Sequence, residues 1–311
     1  MIMNWFQTEE CKAFYDSLSF LESFDCSVFR DGVLKGRVVG YIQKDGGPLT
    51  RFFSRRAIIN GGPMLADDIT GSELKCLLDK CCSSLKHRAI YVETRNFYDY
   101  SAYREAFSSY GWEYEPHYDI HVDCTDIGKV ESGIGKHRKK YIRLSLRDGA
   151  VILSDPTIGQ VREYYSILAD LYKTKVKSPL WPVSFFETLY YSSFGKFFLV
   201  EYDGHIIGGS ACVVSNDRVF EWFACGKDGE YKNIHPSSLT KYAGLKYVAD
   251  HRRGCFDMMG AGAPGDGGYG VRDFKLEFGG ELVEYGRFKC VLNPFLYRIG
   301  AIGVRIMKKL K

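Results

Sequence analysis

The stretch Phe256 to Phe288, FDMMGAGAPGDGGYGVRDFKLEFGGELVEYGRF, decides between two folds. Gly260, Gly262 and Gly265 formally spell G-x-G-x-x-G after a β-like segment, the pattern of a dinucleotide cradle. A cradle needs those glycines to open a helix whose N-terminus holds the pyrophosphate. Here Asp266, Gly267, Gly268, Tyr269 and Gly270 follow instead, and so glycine-rich a run does not hold a helical turn. The stretch also comes too late in the chain to begin a βαβαβ half. It reads as a loop across a strand end, where ligands bind in α/β sheets. A short helix follows, with Lys275 between Phe274 and Phe278 as its apolar anchors.

Working outward, HPSSLTKYAGLKYVADHRRG before this stretch is a helix, with Pro236 at its start and Gly254 after its end. KFFLVEYDGHIIGGSACVVSNDRVFEWFACG gives three strands joined by D-G and N-D turns. The first half runs alike. SVFRDGVLKGRVVGYIQ is a hairpin, RFFSRRAIINGGPML a further strand, and GSELKCLLDKCCSSLKHR a helix with apolar Leu74, Leu77, Leu78, Cys81 and Leu85. AIYVETRN is a strand, YSAYREAFSSYG a helix ended by Gly111, and WEYEPHYDIHVDC one closing strand, as GGELVEYGRFKCVL is in the second half. F-S-S-Y-G-W-E at Phe107 to Glu113 rhymes with F-K-L-E-F-G-G-E at Phe274 to Glu281. The pattern points to duplication of one mixed α/β unit, an α/β (α+β) fold divided into 1–150 and 151–311.

The 311 residues carry a net charge of only +4, too mild by itself to argue for nucleic acid. Ten cysteines show no C-x-x-C pair and no zinc spacing, so we expect reduced thiols, no metal and a cytoplasmic protein. MIMNWFQTEECKAF is not a signal peptide, because acidic residues interrupt its apolar part, and no run is long enough to span a membrane. In IGKHRKKYIRLSLRDG, residues Lys136, Lys140, Arg143 and Arg147 share one helix face, either a solvated surface or a phosphate-binding wall.

F-D-x-x-G, a glycine-containing loop and F-K-x-x-F-G-G-E-x-V-E-Y resemble the C-terminal signature of FemAB-like transferases. R-R-A-I-I-N-G-G-P-M at Arg55 to Met64, Y-V-E-T-R-N at Tyr91 to Asn96, and R-K-K-Y-I-R-L-S-L-R-D-G-A-V at Arg138 to Val151 resemble other segments of that family, in the same order. The resemblance covers nearly the whole chain. It implies two tandem GNAT-like domains and transfer of an aminoacyl group from charged tRNA to an amine of a peptidoglycan precursor. Relatives in the wider group are N-acyltransferases that take acyl-CoA donors. The family's lysine maps onto Lys275, which would stabilise charge near the transferred acyl group. The basic coiled-coil arm of some members has no counterpart here.

Acyl transfer to an amine needs a deprotonated amine and a stabilised oxyanion. Lys275 is the candidate cation. Asp257, beside the glycine loop, and Glu221, in V-F-E-W-F, are the candidate bases; their plainer readings are a turn carboxylate and an outward-facing strand residue. Arg55, Arg56, Arg138 and Arg143 are candidates for the phosphates of a nucleotide- or lipid-linked acceptor. Gly260, Gly262, Tyr269 and Phe274 would line the substrate site. No Ser or Cys has a His at nucleophile spacing, and His117 and His121 read as structural. A GNAT domain using acetyl-CoA carries R/Q-x-x-G-x-G/A after its central strand, and C-G-K-D-G-E-Y-K-N-I-H-P-S-S fails that pattern.

Two rivals stand beside cell-wall aminoacyl transfer. One is acyl-CoA-dependent acetylation of an amino sugar for polysaccharide assembly, and the other a catalytically silent GNAT-like binding module. The tail, NPFLYRIGAIGVRIMKKLK, sets Phe295, Ile299, Ile302 and Ile306 on one stripe. Such a basic amphipathic helix lies on an anionic membrane or packs on its own domain; the glycines favour packing.

Overall fold

The computed structural model describes residues 4–44, 48–176, 179–251, 254–266 and 270–309. In chain order the elements begin α1 (Glu9–Asp16), β1 (Glu22–Arg30), β2 (Val33–Gln43), α2 (Pro48–Ser54), β3 (Arg56–Gly61), β4 (Met64–Leu65), α3 (Gly71–Leu85), β5 (Tyr91–Asn96), α4 (Arg104–Ser109) and β6 (Glu113–Glu115). They continue with β7 (Tyr118–Asp123), α5 (Ile127–Gly133), α6 (Lys136–Arg147), β8 (Val151–Leu153), α7 (Ile158–Leu171), α8 (Val183–Tyr191), β9 (Gly195–Tyr202), β10 (His205–Val214) and β11 (Arg218–Gly226). The last are α9 (Pro236–Asp250), β12 (Cys255–Asp257), α10 (Gly270–Leu276), β13 (Glu281–Glu284), β14 (Arg287–Val291) and α11 (Pro294–Lys309).

Local chemistry accounts for most of these boundaries. Asp31 and Gly32, at φ 50° and 77°, turn the β1–β2 hairpin, and Asp203 and Gly204, at 51° and 75°, turn β9 into β10. Thr70 with Glu73, and Thr157 with Gln160, form capping boxes that satisfy the first amides of α3 and α7. α3 buries the five expected residues, Leu74, Leu77, Leu78, Cys81 and Leu85. One local expectation fails: RFFS is the end of α2, and the strand begins only at Arg56.

Two compact units result, 1–117 with 285–311, and 118–284. Each contains a seven-stranded sheet, one ordered β1-β2-β3-β5-β14-β6 with β4 beside β2, the other β8-β9-β10-β11-β12-β7-β13. From β1 and from β9 the two orders match strand for strand, so the duplication read in the sequence is present in the hydrogen bonding. Both sheets are mixed: β3–β5 and β11–β12 are parallel and the other pairs antiparallel.

The division expected near residue 150 is corrected. Ile120, Val122, Ile142 and Ala150 belong to the same buried core as Phe198, Val219, Leu239 and Phe256. Each closing strand foreseen in the sequence is in fact two. WEYEPHYDIHVDC breaks at Pro116 and His117 into β6, in the first unit's sheet, and β7, in the second's. GGELVEYGRFKCVL breaks at Tyr285 and Gly286, where φ is +63° at the glycine, into β13 in the second sheet and β14 in the first. β14 lies between β5 and β6, and β7 between β12 and β13, so each unit is completed by a strand remote from its other half.

Candidate functional site

The second unit's central parallel pair is short. β11 and β12 pair only through Arg218–Phe220 and Cys255–Asp257. Beyond that point β11 follows β10 to Gly226, with a bulge at Trp222, since Ala211 pairs with Phe223 and Cys212 with Glu221. The chain after Asp257 follows β7: the Met258 N–H donates to Ile120 O at 2.9 Å, Ala261 N–H to Tyr118 O at 2.7 Å, and Tyr118 N–H to Gly262 O at 2.8 Å. The sheet therefore splits, and Glu221 is the first β11 residue past the paired segment.

One wall of the split is the glycine loop. Met259 has φ +53°, and the Asp257 carboxylate accepts its N–H at 2.7 Å. Lys275 on α10 donates to three successive carbonyls, Met258 O at 2.6 Å, Met259 O at 3.0 Å and Gly260 O at 2.9 Å. A neutral amine has only two N–H groups, so three carbonyl bonds require the ammonium. Burial lowers the Lys275 pKa to about 8, opposed by the charges of Asp119 and Asp257. Arg272 on the same helix donates to Ala261 O at 2.7 Å and to Ala263 O at 2.9 Å. Its part was not foreseen, although its spacing three before Lys275 puts both cations on one helix face.

The F-K-x-x-F-G-G motif holds α10 in place. Phe278 is fully buried, and Gly279, at φ +83°, approaches so closely that a Cβ there would lie 2.8 Å from the Gly133 backbone. Arg138 sets its guanidinium fork on Glu277 at 3.0 and 3.1 Å and covers the Phe274 ring at 4.4 Å. This candidate phosphate ligand thus braces α10, and Phe274 is its platform.

The other wall carries an ion pair. Glu221 and Lys241, on β11 and α9, are both about 4% exposed and directly bonded to each other. The outward-facing alternative for Glu221 is ruled out, because its side chain is buried where α9 packs on β11. The second carboxylate oxygen, Oε1, is buried and has no hydrogen-bond partner among the described residues. Burial, then the Lys275 charge, pushes the Lys241 pKa well below the ordinary lysine range. Lys241 was also not foreseen. Its only sequence signal is a cation within the Ser238, Lys241, Leu245, Val248 stripe, which the structure buries.

Asp257 is wholly buried, with Oδ2 at 3.1 Å from His121 Nε2 and 3.9 Å from Arg218 Nη1. It braces the loop beneath the split, as a turn carboxylate does.

The segment after β11 occupies the place of a pyrophosphate loop, and its own bonds already engage it. Lys227 N–H donates to Ile207 O, Glu230 N–H to Lys227 O and Ile234 N–H to Tyr231 O, at 2.9, 3.3 and 3.3 Å. His235 N–H donates to Ser145 Oγ on α6 at 2.9 Å, and the His235 ring stacks on Tyr141 at 3.9 Å. The Asp228 carboxylate takes the Ser237 hydroxyl in the first turn of α9, so a carboxylate already sits at the helix end that favours anions.

The remaining candidates divide between the two units. Arg55, in the first unit, donates to Phe52 O and His87 O at 3.1 and 3.0 Å, and Arg56 opens β3. In the second unit Lys136, Lys140, Arg143 and Arg147 form the expected exposed face of α6. Arg143 also lines a groove of about 640 Å³ with Lys139, Ile142, Leu146 and Tyr242. Gly260 and Gly262 lie in the loop that Lys275 and Arg272 hold; Tyr269 lies outside the described residues. Among the described residues no group of three or more His, Cys, Asp or Glu side chains is placed to hold a metal ion, and no helix is long and apolar enough to cross a membrane.

Residues 133–275 match the family model described as an acetyltransferase (GNAT) domain, a span ending on Lys275. The whole chain is similar in fold to FemX, with a TM-score of 0.73 and 14% identity over 95% of this chain and 94% of that one. It is similar to L-PGS from Bacillus licheniformis, with a TM-score of 0.59 and 12% identity over 91% and 87%. It is also similar to a tandem GNAT protein from the clavulanic acid biosynthesis pathway, with a TM-score of 0.56 and 12% identity over 89% and 85%. No curated protein matches by sequence. The fold is therefore the expected pair of GNAT domains, in a FemX-like arrangement of strands.

Proposed function

Starting from a tandem GNAT acyltransferase fold, we propose that this protein transfers an aminoacyl group from charged tRNA to an amine of a nucleotide- or lipid-linked cell-envelope precursor. The reaction would take place in the split of the second unit. The acceptor amine attacks the ester carbonyl, forming a C–N bond; the C–O bond to the tRNA ribose breaks, and the departing oxygen takes the amine's proton. Glu221 Oε1, buried and without a partner among the described residues, suits an N–H of the attacking amine, because an unmatched buried acceptor costs about 1–3 kcal/mol until a donor arrives. Lys275 would hold the oxyanion by exchanging one of its three carbonyl bonds for the developing charge.

The observation that carries the choice of donor is the segment after β11. Coenzyme A binding at that place needs free backbone N–H groups for pyrophosphate, whereas four of them are engaged and Asp228 sets a negative charge at the α9 N-terminus. That arrangement favours an aminoacyl ester over acetyl-CoA. Two assays test it. Thermal unfolding with acetyl-CoA and longer acyl-CoAs should leave the midpoint unchanged. Radiolabelled aminoacyl-tRNA, supplied as a mixed charged pool, should pass label to a uridine-diphosphate-linked peptide amine. A raised midpoint with acyl-CoA, together with acyl transfer to an amino sugar, would overturn the reading.

A further inference from the structure

α11 carries apolar residues on two faces, and among the described residues one of these faces packs within its unit. Tyr297 packs its ring edge-on against Tyr91 at 5.6 Å, Gly300 comes to the Phe53 carbonyl of α2, and Leu296, Tyr297 and Gly300 are all half-buried. The second face is outward. Phe295 is 73% exposed, Ile299 38% and Ile302 55%, at i, i+4 and i+7 along the helix. Isolated exposed apolar residues need no explanation, but an ordered stripe on one helix does.

Charge identifies what covers it. Arg298 is exposed beside the stripe, and the sequence from Pro294 to Lys311 holds five basic residues, Arg298, Arg305, Lys308, Lys309 and Lys311, and no acidic one. α2, against which α11 packs, adds Phe52, 48% exposed, with Arg55 stacked on its ring at 4.6 Å and Arg51 preceding it. An apolar stripe flanked by cations, on two helices whose own sequences hold no Asp or Glu, fits an acyl-chain boundary topped by anionic headgroups. A protein-binding patch is ringed by a polar rim, whereas the charges beside this stripe are cationic. We infer that α11 is a peripheral membrane anchor, lying in the plane of an anionic phospholipid surface with Phe295, Ile299 and Ile302 inserted. The inference does not depend on the choice of acyl donor.

The test is co-sedimentation of the full chain with vesicles of phosphatidylcholine alone or mixed with phosphatidylglycerol. Binding should require phosphatidylglycerol and weaken as salt rises to about 0.5 M, where the screening length falls to a few ångströms. The double variant Phe295→Ser/Ile302→Ser should bind at least about tenfold more weakly, with an unchanged unfolding midpoint because both side chains are exposed. Arg298→Glu should weaken binding in the same direction. Absence of sedimentation with phosphatidylglycerol vesicles, or equal binding by the double variant, overturns the inference. So does a concentration-dependent dimer that the double variant abolishes while vesicle binding persists.

Discussion

The two units share one strand order but treat their central parallel pair differently. In the first, β3 and β5 stay paired along Arg56–Gly61 and Tyr91–Asn96. In the second, β11 and β12 part after three pairs. The closed pair has Glu93 at its centre, answered on its own sheet by Arg95 at 3.1 Å and Arg287 at 3.7 Å. The open pair has Glu221 at the point of parting, bonded to Lys241 from a helix. A sheet that stays closed satisfies its own edges, whereas one that splits leaves edges for side chains or ligand to satisfy. Lys275 and Arg272 do so on one wall of the second unit, and Glu221 with Lys241 on the other. The family match, 133–275, falls within this open unit.

Removing one partner of the buried pair is the most direct way to break this contrast. Lys241→Met leaves Glu221 buried and uncompensated, and should cost about 3–5 kcal/mol in urea unfolding. The double variant Glu221→Leu/Lys241→Met should regain most of that stability while losing transfer activity. If both variants matched wild-type activity, the opening would have no catalytic meaning.

Lys275→Met takes the ammonium from the three loop carbonyls. kcat/KM for aminoacyl transfer should fall about 10²–10³-fold, the scale of losing one oxyanion donor. Circular dichroism should still report a folded chain. Full turnover in this variant would remove Lys275 from the chemistry and leave it as a clamp on the loop.

The smallest effect sharpens the comparison by pH. Lys275 has a folded pKa of about 8, below the ordinary 10.5. The unfolded chain therefore binds the additional proton between those values, so this residue's contribution to stability rises as pH climbs through that window. Activity that needs the ammonium moves the opposite way, falling about tenfold per pH unit above 8. A Lys275→Arg variant with residual activity should lack this alkaline fall. Stability and activity moving together above pH 8 would sink the assignment.

Much of the fold was legible because its signals are local. The D-G turns, the Thr70 and Thr157 caps, the α3 stripe and the glycines after helices each act within a few residues, where sterics and hydrogen bonding leave few choices. The candidate site was legible in part. Lys275 stood out through its F-K-x-x-F-G-G setting, and Glu221 as a carboxylate in an apolar strand. Arg272 and Lys241 did not, because a cation on a helix ordinarily reads as a solvated residue. Arg138 was legible as a cation but not as a brace, since its partner Glu277 is far away in the chain.

By itself, then, the sequence determined the kinds of elements, their turns and caps, the duplication, and the lysine helix after the glycine loop. Only the tertiary structure decided that WEYEPHYDIHVDC and GGELVEYGRFKCVL each divide between two sheets, with β14 completing the first unit and β7 the second. The same level decided that one central pair closes and the other splits. The physical reason is that periodicity specifies which faces of a strand are buried, but not which neighbour takes its hydrogen bonds. That choice depends on contacts between residues far apart in the chain, and only the assembled sheet makes it.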